Sequence, residues 1–186
     1  MKRYLLIAAT ALVLSATACA PTGTVQPFNV VGATTDAVRS AFNGDAGKVR
    51  VVMLVSPTCG MCLKGAAEVS QQIAKIDGGK AVPLYAVWVP RLGGQEKDVS
   101  TATREIADPL AREYWDGNDL LGVAYRQVFG WKDDNAWDVY MLYGPKARWT
   151  ADLPPAPDFY MHQDAEPGLR LDASVFGARV RQLLRN

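Results

Sequence analysis

Two cysteines separated by two residues stand where a buried strand meets a helix. Cys59 and Cys62 follow the apolar run 51–55, and residues 63–76 have the apolar spacing of a helix. A thiol at a helix N-terminus faces unpaired backbone N–H groups and the positive end of the helix dipole, which stabilise a thiolate. The thiolate is the form that attacks disulfides and binds metals. The pair therefore indicates sulfur chemistry, and redox exchange, metal binding and an inert crosslink all stay open at this point.

The first residues have the features of an export signal. Lys2 and Arg3 give a positive start, and residues 4–14 form an apolar run too short to span a bilayer comfortably. Small residues then precede Cys19, a pattern that resembles a bacterial lipobox, in which the cysteine is lipidated and becomes the first residue of the mature protein. Ordinary signal-peptide cleavage after Ala18 is the alternative that the same residues permit.

The lipobox resemblance implies an exported lipoprotein anchored in a membrane and facing the periplasm. Ala20, and not aspartate, follows the cysteine, and by resemblance to the Gram-negative sorting rule this favours the outer membrane. We therefore expect a signal peptide at 1–18, a tether rich in Pro, Thr and Gly at 19–33, and one domain at 34–186.

The cysteine count and the net charge limit which thiols can react and which partners the protein can bind. With Cys19 lipidated, Cys59 and Cys62 are the only thiols of the mature chain, and an oxidising compartment permits them to form a disulfide. The formal net charge is +1, and loss of the two basic residues of the signal brings it to −1. A nucleic-acid partner needs a basic face, so this near-neutral charge argues against one.

The hydrophobic pattern predicts an α/β domain. Apolar runs at 48–56 and 81–89 predict strands on either side of the helix at 63–76, which together make a right-handed parallel crossover unit. The other predicted elements are helices at 36–42, 99–107, 120–129 and 174–184, strands at 109–115 and 137–143, and a hairpin strand at 147–150.

With the strand, the cysteine pair and the helix in this order, the chain resembles the thioredoxin superfamily. The likeness is greatest to exported TlpA-like and peroxiredoxin-like members, which carry an insertion before the third core strand, and it covers residues 34–185. Residues 114–116, the helix at 120–129 and the strand and glycine turn at 139–144 fit that pattern. The resemblance implies a three-layer fold, with a central mixed sheet flanked by helices.

The same resemblance implies thiol–disulfide exchange by a membrane-tethered oxidoreductase of the cell envelope. Cys59 is then the attacking thiol, more exposed at the start of the helix, and Cys62 is the more buried thiol that resolves the mixed disulfide. Partners are thiols and disulfides of proteins or small molecules, and the reaction needs no organic cofactor.

Two departures from the family pattern concern residues near the cysteines. Family enzymes have a cis-proline just before the third strand, but residues 133–138 contain no proline and Trp137 stands near that position. Thioredoxin also has a buried acid in the strand before the cysteines, where Met53 stands here. Asp138 is the better candidate for the missing proton acceptor and Glu68 is another; a solvated charge at the strand end is the alternative interpretation of Asp138.

A soft-metal site is the alternative function. Copper-delivery relatives of this fold combine two cysteines with a distal histidine, and His162 is the only histidine of this chain. The thiolates of Cys59 and Cys62, the imidazole of His162 and a thioether from Met61 or Met161 would suit copper or zinc. A loop histidine hydrogen-bonded to backbone is the other interpretation of His162.

Large aromatic residues crowd the second half of the chain. A groove of stacked rings beside the cysteines would suit an apolar peptide or a small-molecule partner, whereas core packing is their other role. These residues are Trp115, Trp131, Trp137, Trp149, Tyr140, Tyr143 and Tyr160.

Overall fold

The computed structural model describes residues 23–76, 81–164 and 169–185. The strands in these residues are β1 (Asn29–Val30), β2 (Arg50–Val55), β3 (Leu84–Trp88), β4 (Arg112–Trp115), β5 (Val139–Tyr143) and β6 (Phe159–His162). The α-helices are α1 (Asp36–Gly44), α2 (Gly60–Ala74), α3 (Glu96–Ala102), α4 (Leu120–Phe129) and α5 (Ala173–Leu184). Within the described residues, no helix has the length and apolar character needed to cross a membrane.

The described strands form one mixed sheet in the order β1-β4-β3-β2-β5-β6. The first four run parallel to one another, while β5 is antiparallel to both β2 and β6. Every residue of β2, β3 and β5 is buried. This burial explains their unbroken apolar sequences, because a central strand is covered on both of its faces. The predicted parallel crossover from β2 through α2 to β3 is confirmed.

Helices cover both faces of the sheet and enclose two hydrophobic cores. Helices α2 and α5 pack against each other on the face that also holds the cysteines, and α1 and α4 cover the opposite face. The helical core residues include Val69, Ile73, Phe176 and Val180 on the first face and Val38, Phe42, Leu121 and Tyr125 on the second. The predicted three-layer α/β architecture is confirmed.

The hairpin strand predicted at 147–150 is wrong. The Asn43 side chain donates to the carbonyl of Trp149 and accepts from its N–H, both at 2.9 Å. Arg50 donates to the carbonyl of residue 147 at 3.0 Å. These side-chain bonds occupy the backbone groups that a strand would need for pairing. The strand that pairs with β5 follows the proline-rich loop instead, at Phe159–His162.

The segment expected to be a tether contributes to the fold where the structure describes it. Within that segment, β1 pairs with β4 at the edge of the sheet. The buried Gln26 donates from its side chain to the carbonyl of Ile106 at 3.2 Å. Packing therefore begins before residue 34, whereas residues 1–22, with the signal and Cys19, lie outside the described residues.

A buried carboxyl group lies in β4, on the same face of the sheet as α2. Glu113 is 1% exposed, and its Oε2 accepts a hydrogen bond from Nε1 of Trp88 at 2.6 Å. Its Oε1 is buried without a hydrogen-bond partner among the described residues. Burial raises the pKa of Glu113 from 4.5 to about 8, because removal from water disfavours the charged form more than the Trp88 bond favours it.

We expect Glu113→Gln to flatten the dependence of stability on pH. A carboxyl group whose pKa is raised by folding stabilises the protein fully below its unfolded pKa, and this contribution is lost as the pH rises through the folded value of about 8. Between pH 5 and pH 8 the loss from this one group is about 3 kcal/mol in the free energy of unfolding.

Urea unfolding at both pH values measures this effect, with Glu68→Gln as the matched control. Glu68 is half exposed and pairs with Lys64 on the surface of α2, so its replacement should leave the pH dependence as in the wild type. An unchanged pH dependence in Glu113→Gln would show that Glu113 is not the group responsible.

Candidate active site

The ends of three neighbouring strands lie side by side at one end of the sheet. Strand β2 ends there at Val55, β5 begins there after Asp138, and β6 ends there at His162. The register joins them directly, because Val139 lies opposite both Leu54 and His162. The cysteine turn follows the end of β2, so the antiparallel course of β5 is what brings Asp138 to the cysteines.

Cys59 is the N-cap residue of α2. Its Sγ accepts a hydrogen bond from the backbone N–H of Cys62 at 3.2 Å. This bond satisfies one of the free N–H groups of the first helical turn, and it places the sulfur where partial positive charge stabilises a thiolate. Cys59 is 4% exposed and Cys62 is 0% exposed, and both are free thiols. The order of exposure agrees with the sequence prediction, although both residues are buried.

Asp138 faces the thiol of Cys62 from the start of β5. Asp138 is 3% exposed, and burial raises its pKa, although hydrogen bonds from Gln163 and from the Cys62 thiol partly oppose this. Burial also raises the pKa of Cys62, and the negative charge of Asp138 raises it further. The negative charge of Asp138 thus disfavours ionisation of the Cys62 thiol in a site shielded from water.

The backbone at Asp138 has a conformation that few residues adopt. Its φ angle is +52°, in the left-handed region, which aspartate tolerates better than most residues with a side chain. The described residues contain no cis peptide bond. At the place where the family pattern has a cis-proline, this chain therefore carries Trp137 and then a left-handed Asp138.

Gln163 and Tyr140 complete the surroundings of Asp138, and sequence reasoning missed both roles. Nε2 of Gln163 lies 2.8 Å from Oδ1 of Asp138 and 2.6 Å from the carbonyl oxygen of Met61, between the two cysteines. The hydroxyl of Tyr140 lies 3.2 Å from the same Oδ1 and 3.2 Å from the carbonyl oxygen of Cys62. Gln163 directly follows β6, and the wrong placement of that strand in the sequence prediction hid its position.

A groove of about 750 Å³ adjoins the cysteine turn. Met61, 57% exposed, lies against it, and the rings of Trp131 and Trp137 line it together with Asp138 and His162. The two tryptophans are half-buried. Of the two roles considered for the aromatic residues, core packing holds for most of the set, and the groove is built from the rings of Trp131 and Trp137. Buried residues of that set are Trp115, Trp149, Tyr140 and Tyr143.

The remaining candidate residues take other places. Met53 is fully buried in β2 opposite Tyr140. Glu68 lies on the surface of α2, 3.3 Å from Lys64, and is not part of the cysteine site. The ring of His162 packs edge-on against Trp131 with ring centroids 5.2 Å apart. Among the described residues, no three His, Cys, Asp or Glu side chains are grouped closely enough to hold a metal ion, so the soft-metal alternative gains no support from the geometry.

The topology and the cysteine position together decide the fold. A parallel β-α-β unit carries the Cys-x-x-Cys turn at the N-terminus of its helix, and an antiparallel pair, β5 and β6, extends the same sheet. The chain has a thioredoxin-like fold. The fold predicted from the sequence is thus confirmed, and both membership of the superfamily and the finer likeness to exported lipoprotein members stay predictions.

Comparison with solved structures finds thioredoxin-like proteins. A secreted disulfide oxidoreductase from Mycobacterium tuberculosis is 14% identical, with a TM-score of 0.48, over 75% of this chain and 85% of that one. A thioredoxin-family thiol:disulfide interchange protein from Chlorobium tepidum is 12% identical, with a TM-score of 0.48, over 81% and 84%. AhpC from Enterococcus faecalis is 15% identical, with a TM-score of 0.47, over 74% and 75%.

No protein-family model and no curated protein matches the chain. At these identities and TM-scores, the solved structures say nothing about the substrate or activity of this thioredoxin-like protein.

Proposed function

We propose that this thioredoxin-like protein is a thiol–disulfide oxidoreductase that uses Cys59 and Cys62. The observation that carries the proposal is the hydrogen bond from the N–H of Cys62 to Sγ of Cys59 at the N-terminus of α2. A sulfur in this position is stabilised as a thiolate, and a thiolate is the nucleophile of disulfide exchange. The second thiol lies one helical turn away, within the same site.

In the reducing direction, the thiolate of Cys59 attacks one sulfur of a substrate disulfide. A mixed disulfide forms between Cys59 and the substrate, and the other substrate sulfur leaves as a thiolate that takes a proton from water. Cys62 then gives its proton to Asp138 and attacks Sγ of Cys59. The Cys59–Cys62 disulfide forms, the second substrate thiolate leaves, and two electrons have passed to the substrate. Oxidation of a substrate dithiol follows the same steps in reverse.

Asp138 is the proton acceptor of this proposal. Cys62 is fully buried, and burial raises its pKa, so the thiol needs a nearby base before it can attack. Burial also raises the pKa of Asp138, which makes this carboxylate a stronger base than an exposed aspartate. Asp138, next to the start of β5, is therefore proposed to take the role of the buried acid that thioredoxin has at the position of Met53.

The proposal also places the domain at a bacterial envelope membrane, tethered through a lipid on Cys19. The positive start, the short apolar run and the small residues before Cys19 support this part. Mass spectrometry of the mature N-terminus tests it: a lipid-modified Cys19 is expected, and an unmodified mature N-terminus would overturn the tether.

Substrate segments that carry the target sulfur are proposed to dock in the groove beside Met61. We expect Trp137→Ala to raise KM for a peptide disulfide about fivefold, because contact with an aromatic ring is lost. The rate with a small disulfide that does not reach the groove should stay unchanged. Leu110→Ala, which removes an exposed apolar side chain elsewhere, is the control. Equal losses with both substrates in Trp137→Ala would argue against docking in the groove.

Equilibration in glutathione buffers of graded potential tests the redox proposal. We expect Cys59 and Cys62 to convert reversibly between dithiol and disulfide in a single two-electron transition. Alkylation of the free thiols at each potential measures the fraction that is reduced. A disulfide that persists under strong reductant would indicate an inert crosslink. A pair that never forms a disulfide would exclude the exchange reaction.

A further inference from the structure

We infer that Gln163 is a positioning residue that holds Asp138 against Cys62 and ties it to the cysteine turn. This inference rests on the proposed exchange function and names a residue of the same site. Gln163 follows β6 directly and is half-buried. It comes from a different part of the chain than either of the groups that it joins, which are Met61 in α2 and Asp138 just before β5.

The hydrogen bonds of Gln163 connect two parts of the site that are far apart in the chain. Nε2 donates to the carbonyl of Met61 at 2.6 Å and to Oδ1 of Asp138 at 2.8 Å, and it lies 3.1 Å from the hydroxyl of Tyr140. A backbone carbonyl and a carboxylate can only accept hydrogen bonds, so the NH₂ end of the amide must face them. One primary amide thereby fixes the distance between the cysteine turn and the carboxylate.

A glycine in α2 makes room for this arrangement. A Cβ atom at position 65 would lie 2.2 Å from the hydroxyl of Tyr140 and 2.7 Å from Nε2 of Gln163. A glycine inside a helix costs stability relative to alanine. Gly65 stands three residues after Cys62, so this cost falls where the polar cluster packs against the helix. The placement indicates that close approach of Gln163 and Tyr140 to the cysteine turn is built into the sequence.

The hydrogen bond from Gln163 changes the pKa of Asp138, the proposed proton acceptor. A donor to a carboxylate stabilises the charged form, and Gln163 lowers the pKa of Asp138 against the larger effect of burial. The other groups that face Asp138 are the Cys62 thiol from α2, the Tyr140 hydroxyl from β5 and the His162 ring from β6. Tyr140 also joins the carboxyl group to the turn, through the Cys62 carbonyl. Among these groups, only Gln163 reaches the Met61 carbonyl between the two cysteines.

The test separates attack from resolution in single-turnover kinetics with a model disulfide. Gln163→Met keeps the length of the side chain and removes the amide. We expect attack by Cys59 to stay within twofold of the wild type, while resolution by Cys62 slows about tenfold at pH 7. The pH profile of resolution should move to higher pH. Gln127→Met, on the exposed face of α4, is the matched control and should change neither step.

Two further measurements keep the inference open to refutation. In an Asp138→Asn background, Gln163→Met should cause no further slowing, because its effect passes through Asp138; an additional tenfold loss would overturn the inference. NMR of the Asp138 carboxyl group should show its titration midpoint at higher pH in Gln163→Met, and an unmoved midpoint would also overturn it. If the wild-type protein forms no mixed disulfide, the proposed function is wrong. The NMR titration still tests the role of Gln163 in that case, because it requires no disulfide exchange.

Tyr140→Phe offers a second variant should Gln163→Met fold poorly. It removes the hydroxyl that contacts both Gln163 and Asp138 and leaves the buried ring in place. We expect a smaller slowing of resolution than in Gln163→Met, with attack unchanged. A slowing of attack instead of resolution would contradict the positioning role of the cluster.

Discussion

Replacing Cys59 with serine should reduce disulfide turnover to the uncatalysed background, a loss on the order of a thousandfold or more. A hydroxyl at the N-cap of α2 can still accept the hydrogen bond from Cys62, but it is not ionised and cannot attack a disulfide. Serine is also a good N-cap residue, so the helix and the fold should survive. Reduction of insulin or of a chromogenic disulfide measures the loss, and thermal unfolding shows that the variant is folded.

The variant also distinguishes between the two cysteines. Cys62, which Cys59→Ser leaves as the remaining thiol of the pair, is fully buried and has a raised pKa, so it should not take over the attack. A mixed disulfide trapped on Cys62 in Cys59→Ser, with none trapped on Cys59 in Cys62→Ser, would mean that the roles of the two thiols are exchanged. Wild-type-like turnover in both variants would place the reaction outside this pair.

Replacing Asp138 with asparagine should slow resolution of the mixed disulfide about a hundredfold at neutral pH. Asparagine keeps the shape of the side chain and also tolerates the left-handed backbone at this position. It can no longer accept the proton of Cys62, so the buried thiol must lose its proton to water. Attack by Cys59 should be little affected. Stopped-flow detection of the two released substrate thiols separates the two steps.

The same change should make the protein more stable at neutral pH. Burial raises the pKa of Asp138 in the folded state, so its stabilising contribution is present at low pH and is lost as the pH rises through the folded value. A neutral amide avoids the burial of that charge. Asp133→Asn, an exposed carboxyl group that lines the same groove, is the matched control. If Asp138→Asn resolves as fast as the wild type, Asp138 is not the proton acceptor.

Strands and helices set by local pattern could be predicted from the sequence. Helix α4 has the predicted bounds, because Gly130 ends it with a φ angle of +68° and its first N–H groups are satisfied nearby. The carboxylate of Asp116 accepts from the N–H groups of Leu120 and Leu121 at 3.1 and 2.7 Å. Signals of this kind lie within a few residues of the helix end and can be seen in the sequence.

Elements set by distant contacts could not be predicted. Residues 147–150 have a strand-like composition, yet Asn43, about a hundred positions away, occupies the backbone groups of Trp149. The true partner of β5 is Phe159–His162, and its misplacement also hid Gln163. Glu113 was missed because a single charge in a short strand suggests a solvated side chain, and only the sheet order shows that it is buried.

The cysteine pair itself was predicted, together with the closeness of Asp138. Both follow from the likeness to a known fold, in which the strand after the insertion returns antiparallel to β2. What the sequence did not reveal is that the place of the missing proline is taken by an acidic residue with a left-handed backbone. The groups that contact Asp138 there, Gln163 after β6 and Cys62 in α2, lie far from it in the sequence.

The most direct test of the account is to trap the first intermediate. Cys62→Ser protein treated with a model disulfide should accumulate a stable mixed disulfide, and peptide mapping by mass spectrometry should locate the adduct on Cys59. Wild-type protein under the same conditions should pass through this adduct and end as the Cys59–Cys62 disulfide. An unmodified Cys59 in the folded variant, with the wild type also retaining both free thiols, would contradict the assignment of this protein as a thiol–disulfide oxidoreductase.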